Sequence, residues 1–255
     1  MECWHMSGAG NRFAVVDSRQ AGDPAGYAGL ARALCRRLGA DGMMVLEPER
    51  LRLHFYNRDG SRGEMCGNGS RCACRFAYDR GLAGARLTLL ADAGPVAGER
   101  LGQDRYRVAL NLPTVLDPER KPGCTYLELG SPGLPHAVLE LNADPEPEAL
   151  RASARALRRD PAFPKGANVN FFHLTAPDRG RILTYERGVE DYTLACGTGA
   201  GAVAAALWAG GRLPGGRLTL DSRGGSLSLE LASAGGRLTR LALEGPAEIL
   251  EILTV

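Results

Sequence analysis

The chain has 255 residues, 31 Lys and Arg against 29 Asp and Glu, a formal net charge of +2 and 7 cysteines. That length supplies core for one large or two medium domains, and near-balanced charge without a basic run excludes the footprint of a nucleic-acid or anionic-membrane binder. Met1 to Met6 lacks the apolar run of a signal peptide and no stretch is long enough to span a bilayer. An odd cysteine number without framework spacing makes a reducing cytoplasm the expected compartment.

Phe13 to Asp17 reads as a strand after a Gly-rich turn. Tyr27 to Leu38 places Tyr27, Leu30, Ala31, Leu34, Cys35 and Leu38 at helical spacing, and Gly39 ends it. Met43 to Leu46 and the alternating Leu51 to Tyr56 are strands, and a polar loop from Asn57 to Glu64 leads to a helix that runs to about Tyr78. Strands follow at 87–90, 93–97 and 106–110. Asn111 to Gly123, rich in proline, reads as a linker between domains spanning 1–117 and 118–255. The second half predicts strands at 126–129 and 137–141, a helix at 147–158, strands at 168–174 and 182–185, a second cysteine-led helix, and strands at 217–221, 226–231 and 238–244. This mix argues an α+β fold, each half a sheet wrapped around its helix.

Two stretches carry the chemistry: Met65-Cys66-Gly67-Asn68-Gly69-Ser70 and Ala195-Cys196-Gly197-Thr198-Gly199-Ala200. Each is a cysteine followed by Gly-x-Gly at a predicted helix start, where backbone N–H groups meet an anion and the helix dipole is expected to lower the thiol pKa. Tyr56-Asn57-Arg58 before the first matches Tyr185-Glu186-Arg187 before the second, and Ser7 to Val15 is weakly echoed by Ser131 to Val138. The pattern is an internal duplication, with the two cysteine helix ends expected to face each other across a cleft. A lone free cysteine is ordinarily a small buried hydrophobe; the paired context outweighs that reading. Cys72 and Cys74 fall on other faces of the first helix, and Cys3, Cys35 and Cys124 are structural or surface thiols.

Without Cys-x-x-Cys, a dinucleotide fingerprint or a Walker lysine, neither zinc nor a nucleotide is implied. The only lysines, Lys121 and Lys165, lack a phosphate-binding context, which argues against pyridoxal phosphate. Two thiols on opposite sides of one carbon suit inversion of a stereocentre by proton transfer, one thiolate removing the hydrogen and one thiol returning another. The N–H groups of Gly67, Asn68, Gly197 and Thr198 would hold the carboxylate that stabilises the carbanion.

The segments 8–13, 57–61, 64–72, 135–136, 166–171, 185–188 and 195–200, in this order, resemble the diaminopimelate epimerase family, a pyridoxal-independent group of amino-acid epimerases and racemases. The resemblance implies two pseudo-symmetric domains, each a barrel-like, mostly antiparallel sheet around a central helix, with the last strand open to returning to the first domain. It implies Cys66 and Cys196 as the acid/base pair, His136 and Glu186 in support, and Asn11, Asn57, Asn168, Glu186 and Arg187 as substrate contacts. It implies no cofactor and no metal. The expected partner is a small amino acid, with neither nucleic acid nor membrane, and a homodimer is allowed. The chain departs from the family pattern at Leu134, where Asn or Ser is common, and at Tyr192-Thr193 in place of Glu-Thr, with Asp191 a partial substitute. The expected reaction interconverts LL- and meso-diaminopimelate, for lysine synthesis. A racemase of another amino acid, such as histidine, is the alternative, and a non-catalytic anion-binding module the third reading.

Overall fold

The computed structural model describes residues 1–63 and 65–255. Contacts divide them into two units, Met1–Ala109 with Glu244–Val255, and Leu110–Leu243.

The first unit begins with β1 (Glu2–Gly8) and β2 (Asn11–Asp17), an antiparallel hairpin turned at Ala9-Gly10. A short α1 (Ser18–Ala21) and α2 (Tyr27–Leu38) return the chain so that β3 (Gly42–Glu47) pairs parallel to β2. Helix α2 forms where the apolar period demands it: Tyr27, Ala31, Leu34 and Cys35 are its buried face, and Gly39 closes it at φ 62° with its N–H on the Cys35 carbonyl. β4 (Arg52–Asn57) pairs antiparallel to β3 and to the short β5 (Arg62–Gly63). Then α3 (Gly67–Asp79) crosses over to β6 (Arg86–Ala91), which touches β4 in parallel at Arg52 and Leu90 and continues antiparallel into β7 (Gly94–Arg100) and β8 (Arg105–Ala109). Helix α3 packs on β1, β2, β3, β6, β7 and β8, so the sheet wraps it. On the other face of β2 and β3, Ala14, Val16, Met43 and Val45 form a core with Tyr27, Ala31 and Leu34 of α2.

The second unit repeats the plan. β9 (Pro113–Lys121) pairs with β10 (Cys124–Leu129), and β10 with β11 (Leu134–Glu140), both antiparallel. α4 (Pro147–Arg158) carries the chain to β12 (Asn168–Ala176), parallel to β11, and β13 (Arg179–Glu186) pairs back antiparallel and meets the short β14 (Asp191–Tyr192). α5 (Gly197–Ala209) then leads to β15 (Arg217–Ser222), parallel to β13, followed by β16 (Gly225–Ala234) and β17 (Arg237–Pro246). Helix α5 is Ala-rich and buried on nearly every side, as a helix inside a sheet must be, and packs on β9, β10, β11, β12, β15 and β16. Tyr126, Ala137, Val169, Phe171 and Tyr185 form the opposite core with Ala154 and Leu157 of α4 and with Phe163. β18 (Glu248–Thr254) pairs antiparallel with β1 in the first unit.

The architecture is a mixed-sheet α+β fold with few helices. Most pairs are antiparallel, but the sheets are not closed into barrels. The segment read as a linker is strand: Pro113 to Lys121 is β9, hydrogen-bonded to β10 through a bulged register, and the boundary expected at 117/118 falls inside it. Its charges and Pro118 mimic a loop, and no residue of β9 is fully buried. β1 escaped prediction because its residues from Cys3 to Gly8 are all buried, so apolar and polar positions do not alternate.

Candidate active site

Cys66 and Cys196 are built in the same way. Each is the N-cap of its helix in extended backbone, φ −139° for Cys66 and −119° for Cys196. Each sulfur accepts the N–H of the third helical residue, Gly69 at 3.5 Å and Gly199 at 3.3 Å, and each cysteine carbonyl accepts the next N–H, of Ser70 and Ala200. A thiol thus does what a Ser or Asp side chain does at an ordinary cap. The N1 and N2 N–H groups, on Gly67 and Asn68 or on Gly197 and Thr198, point out of a helix N-terminus and suit an anion.

In the first unit the fold brings Asn11, at the start of β2, to Asn68, whose amide donates to it at 3.4 Å. Gly8 permits that approach, because a Cβ there would lie 2.6 Å from the Asn68 carbonyl oxygen. Asn57 ends β4 and donates to Ser61 Oγ at 3.0 Å inside the turn that leads to α3. Glu64, part of the motif, lies outside the described residues.

In the second unit strand alternation puts His136, Asn168 and Asn170 on the face opposite the α4 core. His136 is fully buried, and Asn170 Nδ2, a donor only, lies 3.2 Å from its Nδ1. Nδ1 therefore accepts and Nε2 carries the proton, with no partner for it. Burial first, then the Arg187 charge, push the His136 pKa down to about 3, so the ring is neutral. Asn170 Oδ1 in turn accepts Thr184 Oγ1 at 3.0 Å. Asn168 Oδ1 accepts the Arg187 backbone N–H at 2.8 Å, and the Arg187 guanidinium donates to the Lys165 carbonyl at 3.0 Å.

Cys196 is only 8% exposed, and burial holds its pKa well above that of an ordinary thiol. The Glu186 carboxylate adds to this through its charge and a hydrogen bond, whereas Thr198 Oγ1, 3.4 Å from the sulfur, and the Gly199 N–H oppose it. This corrects the expectation of a lowered pKa at this cysteine: desolvation outweighs the helix end. Glu186 is held by Thr193 Oγ1 at 2.5 Å. The Asp191 carboxylate, the partial substitute for the family's Glu, pairs with Arg151 at 2.7 Å. Burial pushes Cys72 and Cys74 up to about 12, and Cys3, Cys35 and Cys124 up to about 11, which makes all five inert thiols.

Asn170, Thr184, Thr193 and the Lys165 carbonyl were not legible as site residues. Only Asn170 left a signal, as the second Asn of Asn168-Val169-Asn170. Among the described residues no His, Cys, Asp and Glu cluster has the makings of a metal site, and no helix is long and apolar enough to cross a membrane.

The diaminopimelate epimerase family model matches residues 3–110 and 130–250. The diaminopimelate epimerase of Chlorobaculum tepidum is 40% identical over 79% of this chain and 80% of its own length. That of Flavobacterium psychrophilum is 32% identical over 100% of both chains, and that of Aquifex aeolicus 38% over 80% of each. Among solved structures, a probable proline racemase from Agrobacterium radiobacter with bound carbonate aligns at TM-score 0.70 and 16% identity, covering 100% of this chain and 92% of that one. A Bacillus anthracis phenazine biosynthesis protein of the PhzF family aligns at 0.72 and 12%, covering 100% and 98%. These two share the fold alone. The helix-end cysteines thus sit in a sequence that matches one family along nearly its whole length, and the chain belongs to the diaminopimelate epimerase family, a family of isomerases.

Proposed function

We propose that the chain interconverts LL- and meso-diaminopimelate by a two-base mechanism, with Cys66 and Cys196 acting on opposite faces of one Cα. The observation that carries it is the repeated cap, a cysteine sulfur on the N3 amide of each central helix, in a chain matched to this family. One cysteine, as thiolate, takes the Cα hydrogen, and the other, as thiol, delivers a proton to the opposite face; the electron pair rests meanwhile in the α-carboxylate. The N–H groups of Gly67, Asn68, Gly197 and Thr198 are suited to bind that carboxylate as its charge grows. Glu186, hydrogen-bonded to Cys196, keeps that sulfur protonated until it is needed. The neutral His136 can offer its Nε2–H as a donor but is not an acid at neutral pH.

Arg187 is a planar donor suited to a distal carboxylate, and Asn11, Asn57 and Asn168 add uncharged hydrogen bonds. Diaminopimelate is therefore preferred to a substrate without a second charged end. Leu134, apolar where the family commonly has Asn or Ser, favours testing the alternative of another amino acid. A cytoplasmic location fits the six free buried thiols. A homodimer fits the exposed Leu250 and Ile252 of β18.

The test is an amino-acid panel in heavy water, reading α-hydrogen exchange and inversion. LL-Diaminopimelate should exchange and invert, and lysine and histidine should do so at least about a hundredfold more slowly, since a hydrogen bond to a charged group is worth about 1.5–3 kcal/mol and neither offers a distal carboxylate to Arg187. Comparable kcat/KM for histidine would move the assignment to the other racemase. No exchange with any amino acid would leave the anion-binding reading.

A further inference from the structure

The two central helices share their opening but differ five residues past the cysteine, where α3 carries Arg71 and α5 carries Gly201. Arg71 has no exposed surface at all. Its Nε donates to the Pro246 carbonyl at 3.1 Å, and its two Nη groups have no hydrogen-bond partner. Gly245 makes the slot for the guanidinium: a Cβ there would stand 3.0 Å from Cζ. The ionisable groups that act on it most strongly are the thiols of Cys66, Cys72 and Cys74 on its own helix and the Arg105 guanidinium from β8. None of these is a carboxylate.

A buried cation without a counter-charge is costly unless a neighbour ionises to meet it. Cys72 and Cys74 cannot serve, because both are sealed in the core around the helix. Cys66 can, since it is half-buried at the helix end and its sulfur already accepts the Gly69 N–H. A rise of 1.5 Å per residue puts the two backbones about 8 Å apart along the helix axis, and the Arg71 guanidinium and the Cys66 thiol interact through their charges.

We propose that Arg71 is a positioning residue for the reaction, its buried guanidinium holding Cys66 as the thiolate of the resting enzyme. Gly201 brings no such cation to Cys196, whose pKa burial and the Glu186 carboxylate raise. The inference rests on Cys66 being one of the two acid/base groups. It also explains why an arginine stands where the second copy needs no side chain.

The test is the pH dependence of Cys66 alkylation by iodoacetamide in the full-length protein, read at the Cys66 peptide by mass spectrometry, for wild type, R71K and R71M. Wild-type Cys66 should titrate below the ordinary thiol value of about 8.5. R71M should move that titration up by about one unit and slow alkylation at pH 7 several-fold, and R71K should stay near wild type. A wild-type Cys66 that titrates at or above the ordinary value overturns the proposal even if neither variant folds. So does a folded R71M with the wild-type titration. Alkylation needs no turnover, so this result stands apart from activity: a fully active C66A would sink the two-base reading instead.

Discussion

Under Cys66 the sheet presents Phe13, Met44 and Phe55; at the matching strand positions under Cys196 it presents His136, Asn170 and Thr184. The correspondence is one of register: Phe13 and His136 are the third residues of β2 and β11, Met44 pairs with Phe55, and Asn170 pairs with Thr184. At the strand ends Asn57 corresponds to Glu186, and on the helices Arg71 to Gly201. The duplication therefore kept the cap and the crossover topology and changed the electrostatics around each sulfur. Among the described residues the strand floor beneath Gly69 is apolar, and that beneath Gly199 is a hydrogen-bonded polar network. Two like thiols would compete to be the base; the proposed mechanism allots one role to each.

The most severe way to break the comparison is to remove a sulfur. Cys66→Ala and Cys196→Ala should each lower kcat at least about a thousandfold, since each direction needs one base and one acid. A Cys196→Ala variant with near-normal turnover would end the two-base account.

The central glycines sharpen it next. A Cβ on Gly199 would lie 2.3 Å from Asn170 Oδ1 and 2.9 Å from Thr184 Oγ1, atoms fixed in the network that supports His136. A Cβ on Gly69 would meet chiefly Met44 Cε, the end of a flexible side chain. Gly199→Ala should cost about 2–3 kcal/mol in urea unfolding. Gly69→Ala should cost about 1 kcal/mol or less, because the gain in helix propensity offsets part of the crowding. Equal losses would mean that the two floors are equally deformable.

Acid should find the polar copy first. The His136 pKa lies below its unfolded value, so between about pH 6.5 and 3 the unfolded chain binds the extra proton. Stability from this group is present above that window and is lost as pH falls through it. The urea midpoint should fall between pH 7 and 4, and less steeply in His136→Gln; parallel slopes would show that His136 does not set the acid limb. The smallest effects belong to Cys72→Ala and Cys74→Ala, which should keep most activity and lose about 1 kcal/mol of stability. A tenfold fall in kcat for either would give those thiols a role that their burial argues against.

The sequence was most legible where local rules and burial agree. α2 and α4 were read to their ends, because Gly39 caps the one and Pro147 opens the other on amphipathic faces. α3 and α5 were read from Gly-x-Gly after a cysteine. β1, buried on both faces, and β9, charged and half-exposed, were not, since neither shows the alternation that marks a strand. At the site, the cysteines and the asparagines announce themselves by type. Thr193 and Asn170 do not: Thr193 reaches Glu186 only through the β13–β14 turn, and Asn170 meets His136 only because β11 and β12 pair in parallel. Arg71 belongs to the motif segment 64–72, but its burial follows from the sheet around α3, which the sequence does not show. The direction of the Cys196 shift was missed for a related reason, since a helix end is visible in sequence and desolvation is not.

The central claim is that two different groups work on opposite faces of one carbon, and early-turnover isotope exchange tests it most directly. LL-Diaminopimelate is incubated with the enzyme in heavy water, and Cα deuterium is measured separately in the inverted product and the remaining substrate during the first few per cent of reaction. The account predicts solvent deuterium in nearly every inverted molecule and little in the remaining LL substrate, because the proton removed by one thiolate is not the proton returned by the other thiol. Inverted product that retains its original hydrogen would mean that one group carries the proton across, and would contradict the account.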